Sequence, residues 1–78
     1  NTMVSMLREA IAHRIAFLRK QKGLSQDELA AKSGLDRTYI SGIERVSRNL
    51  TLDSLEKVIE ALDMHPKEFF KNLFTENK

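Results

Sequence analysis

The chain has no cysteine among its 78 residues. No disulfide can staple it and no thiolate can hold a metal, a composition that suits a reducing compartment such as the cytoplasm. Long uncharged apolar runs are missing as well: the first amphipathic stretch is broken by Arg8, His13 and Arg14, which argues against a membrane-spanning helix. The first residues lack the hydrophobic block of a signal peptide, and Asn1 and Thr2 ahead of Met3 read as a processed or engineered start. Repeats, low-complexity tracts, linkers and strand patterns are absent too. The usual pieces of catalysis are not there either. His13 and His65 fall on separate helical stretches, with no H-x-x-x-H spacing and no glycine-rich phosphate loop. The expectation is a cytoplasmic protein that is not an enzyme and takes no cofactor or metal.

An excess of charge is nearly lacking. The net charge is only +2, so any case for an anionic partner rests on distribution. Residues 1–22 carry Arg8, Arg14, Arg19, Lys20 and Lys22 against Glu9 alone, whereas residues 51–78 hold six acids against four lysines. The basic front half suits phosphate contact. A chain this short buries only roughly 60–65% of its unfolded surface, so one small core is expected and pairing with a second copy would stabilise it.

What is present is helical. Leu7, Ile11, Ile15 and Leu18 follow 4-4-3 spacing, which predicts a helix over about residues 4–21, ended by Gly23 after the basic Lys20 and Lys22. Ser25 with Glu28 forms a capping box that starts a second helix, with Leu29 and Ala30 inward. Gly34 supplies the left-handed stop, and Asp36 caps a third. There Ile40 and Ile43 share one face beside Leu35, leaving Arg37, Thr38, Ser41 and Arg45 on the other. Residues 46–50 read as a polar loop. Thr51 caps a fourth helix with Leu52, Leu55, Ile59 and Leu62 as its inner stripe, and His65 and Pro66 open a fifth bearing Phe69, Phe70, Leu73 and Phe74. The expected architecture is all-α, one compact five-helix domain over residues 1–78.

With Gln26, Ala30, Gly34, Ile40 and Glu44 at the offsets they occupy, the stretch from about Ile15 to Leu62 resembles the helix-turn-helix of the phage-repressor or Cro-like family, the XRE-type regulators. The resemblance implies a lambda-repressor-like DNA-binding fold with the helix-turn-helix at about residues 25–45 and a dimerisation region at about 51–75. The segment RTYISGIERVSRNLT, Arg37 to Thr51, is similar to the controller proteins of restriction-modification systems, with Val46 and Leu50 where many family members carry glycine and proline. A sequence-specific transcriptional regulator is implied, a homodimer on a palindromic double-stranded operator. The controller subgroup adds autoregulation of a restriction-modification operon, two dimers on adjacent operators, and contact with RNA polymerase as one way of acting. The alternatives are an antitoxin-type or phage-type repressor, or a helix-turn-helix that binds protein and not DNA. The resemblance also implies that Glu44, of the wrong sign for a DNA face, turns inward to Arg19 as a structural ion pair.

A recognition helix offers its N-terminal side chains to base edges. Arg37 is then the leading base reader, able to contact guanine O6 and N7 in bidentate fashion, with Thr38 beside it. Tyr39 divides evenly between DNA contact and packing. Gly42 costs roughly 1 kcal/mol relative to alanine inside a helix, so it marks either backbone close to DNA or tight packing on the second or fourth helix. Ser41 and Arg45 extend the outward face, Arg45 being otherwise a solvated charge. Gln26 is assigned to phosphate at a helix start. Arg48 and Asn49 are assigned to the sugar-phosphate backbone or minor groove, the plainer role being a local turn. Arg14, Lys20 and Lys22 are either further phosphate contacts or solvated charges. Val58, Leu62, Met64, Phe69, Phe70 and Phe74 offer more apolar surface than so small a core needs and form the expected dimer interface, with core packing as the alternative.

Overall fold

The computed structural model describes residues 2–74, with side chains from Met6 onward. Asn1 and residue 75, the end of the expected dimerisation region, lie outside the described residues. Among the described residues five helices follow one another: α1 (Thr2–Gln21), α2 (Gln26–Ser33), α3 (Arg37–Glu44), α4 (Leu52–Ala61) and α5 (Pro66–Phe70). Among the described residues there is no strand, and no helix is long and apolar enough to cross a membrane.

Local chemistry sets most of the boundaries. The Glu28 amide donates to Ser25 Oγ at 3.0 Å and the Ser25 amide to Glu28 Oε1 at 2.8 Å, a complete capping box that satisfies two otherwise orphaned donors at the start of α2. Gly34 ends the helix with φ 75°, its amide returned to the Ala30 carbonyl. Asp36 Oδ2 then accepts from the Thr38 amide at 3.1 Å and starts α3. Thr51 Oγ1 caps α4 through the Ser54 amide, and His65 Nδ1 caps α5 through the Lys67 amide, with Pro66 in the first turn.

The core joins Ile15, Leu18, Leu29, Ile40, Ile43, Leu55, Val58, Ile59, Leu62 and Phe69, with α2 packed on α3 and α4, α1 on α3, and α4 on α5. Ile40 and Ile43 are 1% and 3% exposed. At about 1.5–3 kcal/mol for each buried side chain, that pair outweighs any alternative rotation of an eight-residue helix, so the outward face of α3 is fixed.

Three expectations need correction. Val58, Leu62 and Phe69 are 0% exposed inside the chain's own core, where they hold α4 to α5, so they offer nothing to a dimer interface. Met64 is half-buried, while Phe70 and Phe74 stay exposed. Leu52 is 80% exposed: as the first residue of α4 it lies beyond the edge of the core. Arg14 is neither solvated nor free for phosphate. Standing beside the apolar stripe of α1, it is 5% exposed and donates from Nε to the Phe69 carbonyl at 2.6 Å and from Nη2 to the Glu68 carbonyl at 2.8 Å. A cation there complements the C-terminal end of α5 and ties it to α1.

Candidate nucleic-acid interface

The outward side of α3 begins with Arg37 and Thr38, both exposed, and continues with Ser41, one turn on and half-buried, and Arg45, exposed at the C-terminal cap. Arg45 Nη1 donates to Ser41 Oγ at 2.7 Å, so these two are already paired along the helix. Arg37 reaches back to α2: its Nε lies 3.4 Å from Asp27 Oδ1, with 59% of the arginine side chain and 78% of the aspartate exposed.

Behind this face lies a locked polar cluster. Arg19 donates from Nε to Glu44 Oε2 at 2.7 Å and from Nη2 to Glu44 Oε1 at 3.0 Å, a bidentate fork, while Nη1 donates to the Leu24 carbonyl at 2.8 Å. The side chains are 10% and 8% exposed, so the pair is nearly dry and joins the end of α1 to the end of α3. Gln26 Nε2 donates to the same Glu44 Oε1 at 3.0 Å. The residue assigned to phosphate therefore spends one donor on the cluster, and only the remainder of its amide can face outward.

The loop after α3 folds back onto that helix. Val46 adopts φ 61°, left-handed backbone that costs a residue with a Cβ roughly 1–2 kcal/mol and is unusual for a β-branched one. Its side chain is half-buried and lines a cleft of about 330 Å³ with Leu7, Ile11, Ile43, Leu50 and Leu55. After this reversal the Ser47 and Arg48 amides donate to the Gly42 carbonyl at 2.8 and 3.3 Å. A Cβ at Gly42 would run into Arg48 Cγ, with Arg48 Cβ and Ser47 Oγ also in contact. Gly42 is thus buried beneath its own following loop, and neither DNA nor α2 or α4 explains the missing side chain. Its assignment as a DNA contact is corrected accordingly.

Tyr39 completes the loop's attachment. Half-buried against the core, it donates its hydroxyl to the Asn49 carbonyl at 2.8 Å, and the Arg48 guanidinium sits 5.9 Å from the ring centroid. The evenly divided reading of Tyr39 resolves, in the free chain, toward packing and loop positioning. The combined surface carries Arg37, Thr38, Ser41 and Arg45 on α3 with Arg48 and Asn49 on the loop locked against it. Lys20 and Lys22 are exposed near the end of α1. Donors dominate, which suits recognition of an anionic, acceptor-rich surface. Among the described residues no group of His, Cys, Asp or Glu could hold a metal ion. Asp27 and the loop's contacts escaped sequence reasoning. The acid in the first turn of α2 was the only available sign of the first, and nothing local marked the second.

The helix-turn-helix family profile matches residues 15–69. The chain belongs to the helix-turn-helix family. Within it, the control protein C.BamHI of Bacillus amyloliquefaciens is 40% identical over 67 residues, covering 85% of this chain and 83% of that protein. A Neisseria hypothetical transcription factor from Neisseria meningitidis serogroup B is 46% identical over 56 residues, 72% of this chain and 53% of its own length. The chain therefore spans about half the length of that helix-turn-helix relative. The crystal structure of the restriction-modification controller protein C.Esp1396I matches with TM-score 0.86 and 48% identity, over 90% of this chain and 92% of that one. The same controller protein is also known as a tetramer in complex with its natural 35 base-pair operator, matching at TM-score 0.85.

Proposed function

We propose that this helix-turn-helix protein is a sequence-specific, double-stranded DNA-binding transcriptional regulator that works as a homodimer on a palindromic operator and autoregulates a restriction-modification operon. The observation that carries the reading is the face of α3. Its two isoleucines and the Arg19–Glu44 fork fix it from behind, while Arg37, Thr38 and Arg45 stand exposed in front. A helix of about 10–12 Å diameter fits a major groove of about 12 Å, and its N-terminal side chains then meet base edges. Arg37 reads guanine, with Thr38 beside it. Arg48 and Asn49 follow the sugar-phosphate ridge or the minor groove from the locked loop. Support comes also from the C.Esp1396I tetramer seen on its operator, a chain 48% identical to this one.

Residues 1–78 form one domain on this reading, with the reader at about 25–45 and the pairing region at about 51–75. A single short helix reads few base pairs, so two copies on half-sites roughly 34 Å apart are needed for useful specificity. Of the six apolar residues expected at that interface, Phe70 and Phe74, 41% and 55% exposed, and the half-buried Met64 remain for the pairing. Two dimers bind adjacent operators and act by blocking or contacting RNA polymerase, in the cytoplasm where the operator lies. Selection of bound duplexes from a randomised library tests the reading. It is expected to enrich an inverted repeat, later footprinted as a symmetric protected site. No enrichment, together with binding to protein alone, would make the fold a protein-interaction module instead.

A further inference from the structure

We infer that Asp27 is a specificity-determining residue, its carboxylate holding the Nε edge of Arg37 so that the arginine reads a guanine with its outer edge and is discouraged from settling on a phosphate. The inference rests on the duplex-reading role proposed for α3. It starts from the one ion pair that ties the leading base reader to another helix, Arg37 Nε to Asp27 Oδ1 at 3.4 Å.

Stability accounts for this acid only in part: in the first turn of α2 it meets the positive end of the helix dipole, a modest contribution for an exposed side chain. An exposed pair contributes little, and the same end of α2 already has a complete capping box from Ser25 and Glu28. Electrostatically Asp27 is adverse to any duplex, because it puts a negative charge beside the residues that must approach phosphates. A carboxylate at that place makes sense if it costs the wrong complexes more than the right one.

Stereochemistry supplies the difference. A guanidinium presents five N–H donors in one plane, and the terminal Nη pair makes the bidentate contact to guanine O6 and N7. With the Nε side turned toward Asp27 at 3.4 Å, that pair is left available for a base. Without the carboxylate, Arg37 is a long, rotatable cation that can turn to the nearest phosphate, a contact carrying no sequence information. On a cognate site carboxylate, guanidinium and guanine are satisfied together. On random duplex, a phosphate that takes Arg37 must do so against the repulsion of Asp27.

The test compares the full chain with Asp27→Asn, Arg37→Ala and the double variant, on the best duplex from the library selection and on a scrambled duplex of equal length, at one ionic strength. Asp27→Asn is expected to raise affinity for the scrambled duplex and to lower the selected-to-scrambled ratio by about 1.5- to 5-fold, the range an exposed pair can supply. In the Arg37→Ala background the same change is expected to leave the ratio where it was. An equal rise on both duplexes, an unchanged ratio, or the same loss of ratio without Arg37 would overturn the role assigned to Asp27. A wild-type chain that binds neither duplex would overturn the duplex-reading function itself.

Discussion

Arg19, with about a tenth of its side chain exposed, stays in place because Glu44 and the Leu24 carbonyl take up its donors. Removing the acid leaves a desolvated cation, so Glu44→Ala is expected to lose about 3–5 kcal/mol, measured by urea denaturation with circular dichroism. A change within about 0.5 kcal/mol would mean that water already screens the pair. Arg37→Ala belongs to the opposite class. Its side chain is mostly exposed, so the fold should be indifferent while discrimination between selected and scrambled duplex falls by about 1–3 kcal/mol. Equal losses on both duplexes would make Arg37 a phosphate contact only. The Arg19–Glu44 pair was legible in the sequence only through family resemblance, because no local rule joins residues twenty-five apart. Gly42 was legible as an anomaly, a glycine inside a helix. Its cause was not, since the side chain that fills its space arrives from a loop whose path depends on Val46.

Helix ends are where sequence reading worked best, because caps involve residues two to four apart: Ser25 with Glu28, Asp36 with Thr38, Thr51 with Ser54, His65 with Lys67. One end was missed. At the close of α4 the Asp63 amide donates to the Glu60 carbonyl and the Met64 amide to the Ile59 carbonyl, with Asp63 at φ 60°, a Schellman ending in which an aspartate takes the usual place of glycine. Asp63 is exposed, so Asp63→Gly relieves backbone strain without loss of packing and should raise stability by about 0.5–1 kcal/mol in the same denaturation assay. A loss would show that the side chain has a role of its own. The α3–α4 loop is the element that no pattern revealed. Gly42→Ala should push Arg48 off the helix at a net cost of about 1–2 kcal/mol, after the roughly 1 kcal/mol that alanine gains in a helix. Tyr39 is the only tyrosine and there is no tryptophan, so intrinsic fluorescence reports directly on whether the Tyr39–Asn49 contact survives.

At the scale of the molecule, the all-helical architecture was readable from apolar spacing because every helix presents a stripe to one shared core. Division of the last two helices between core and surface was not readable. The pattern of α4 and α5 marks all their apolar residues alike, whereas the structure spends Val58, Leu62 and Phe69 inside and leaves Phe70 and Phe74 out. Charge adds little on its own, since a net +2 becomes informative only once α3 is seen to hold its arginines on one exposed face. That exposed face is the centre of the account, and duplex affinity as a function of ionic strength tests it most directly. The account predicts that the logarithm of the binding constant falls linearly with the logarithm of salt concentration, about 0.9 in slope for each phosphate neutralised, and less steeply for Arg48→Ala. Binding that does not respond to salt, or no duplex binding at low ionic strength, would contradict it.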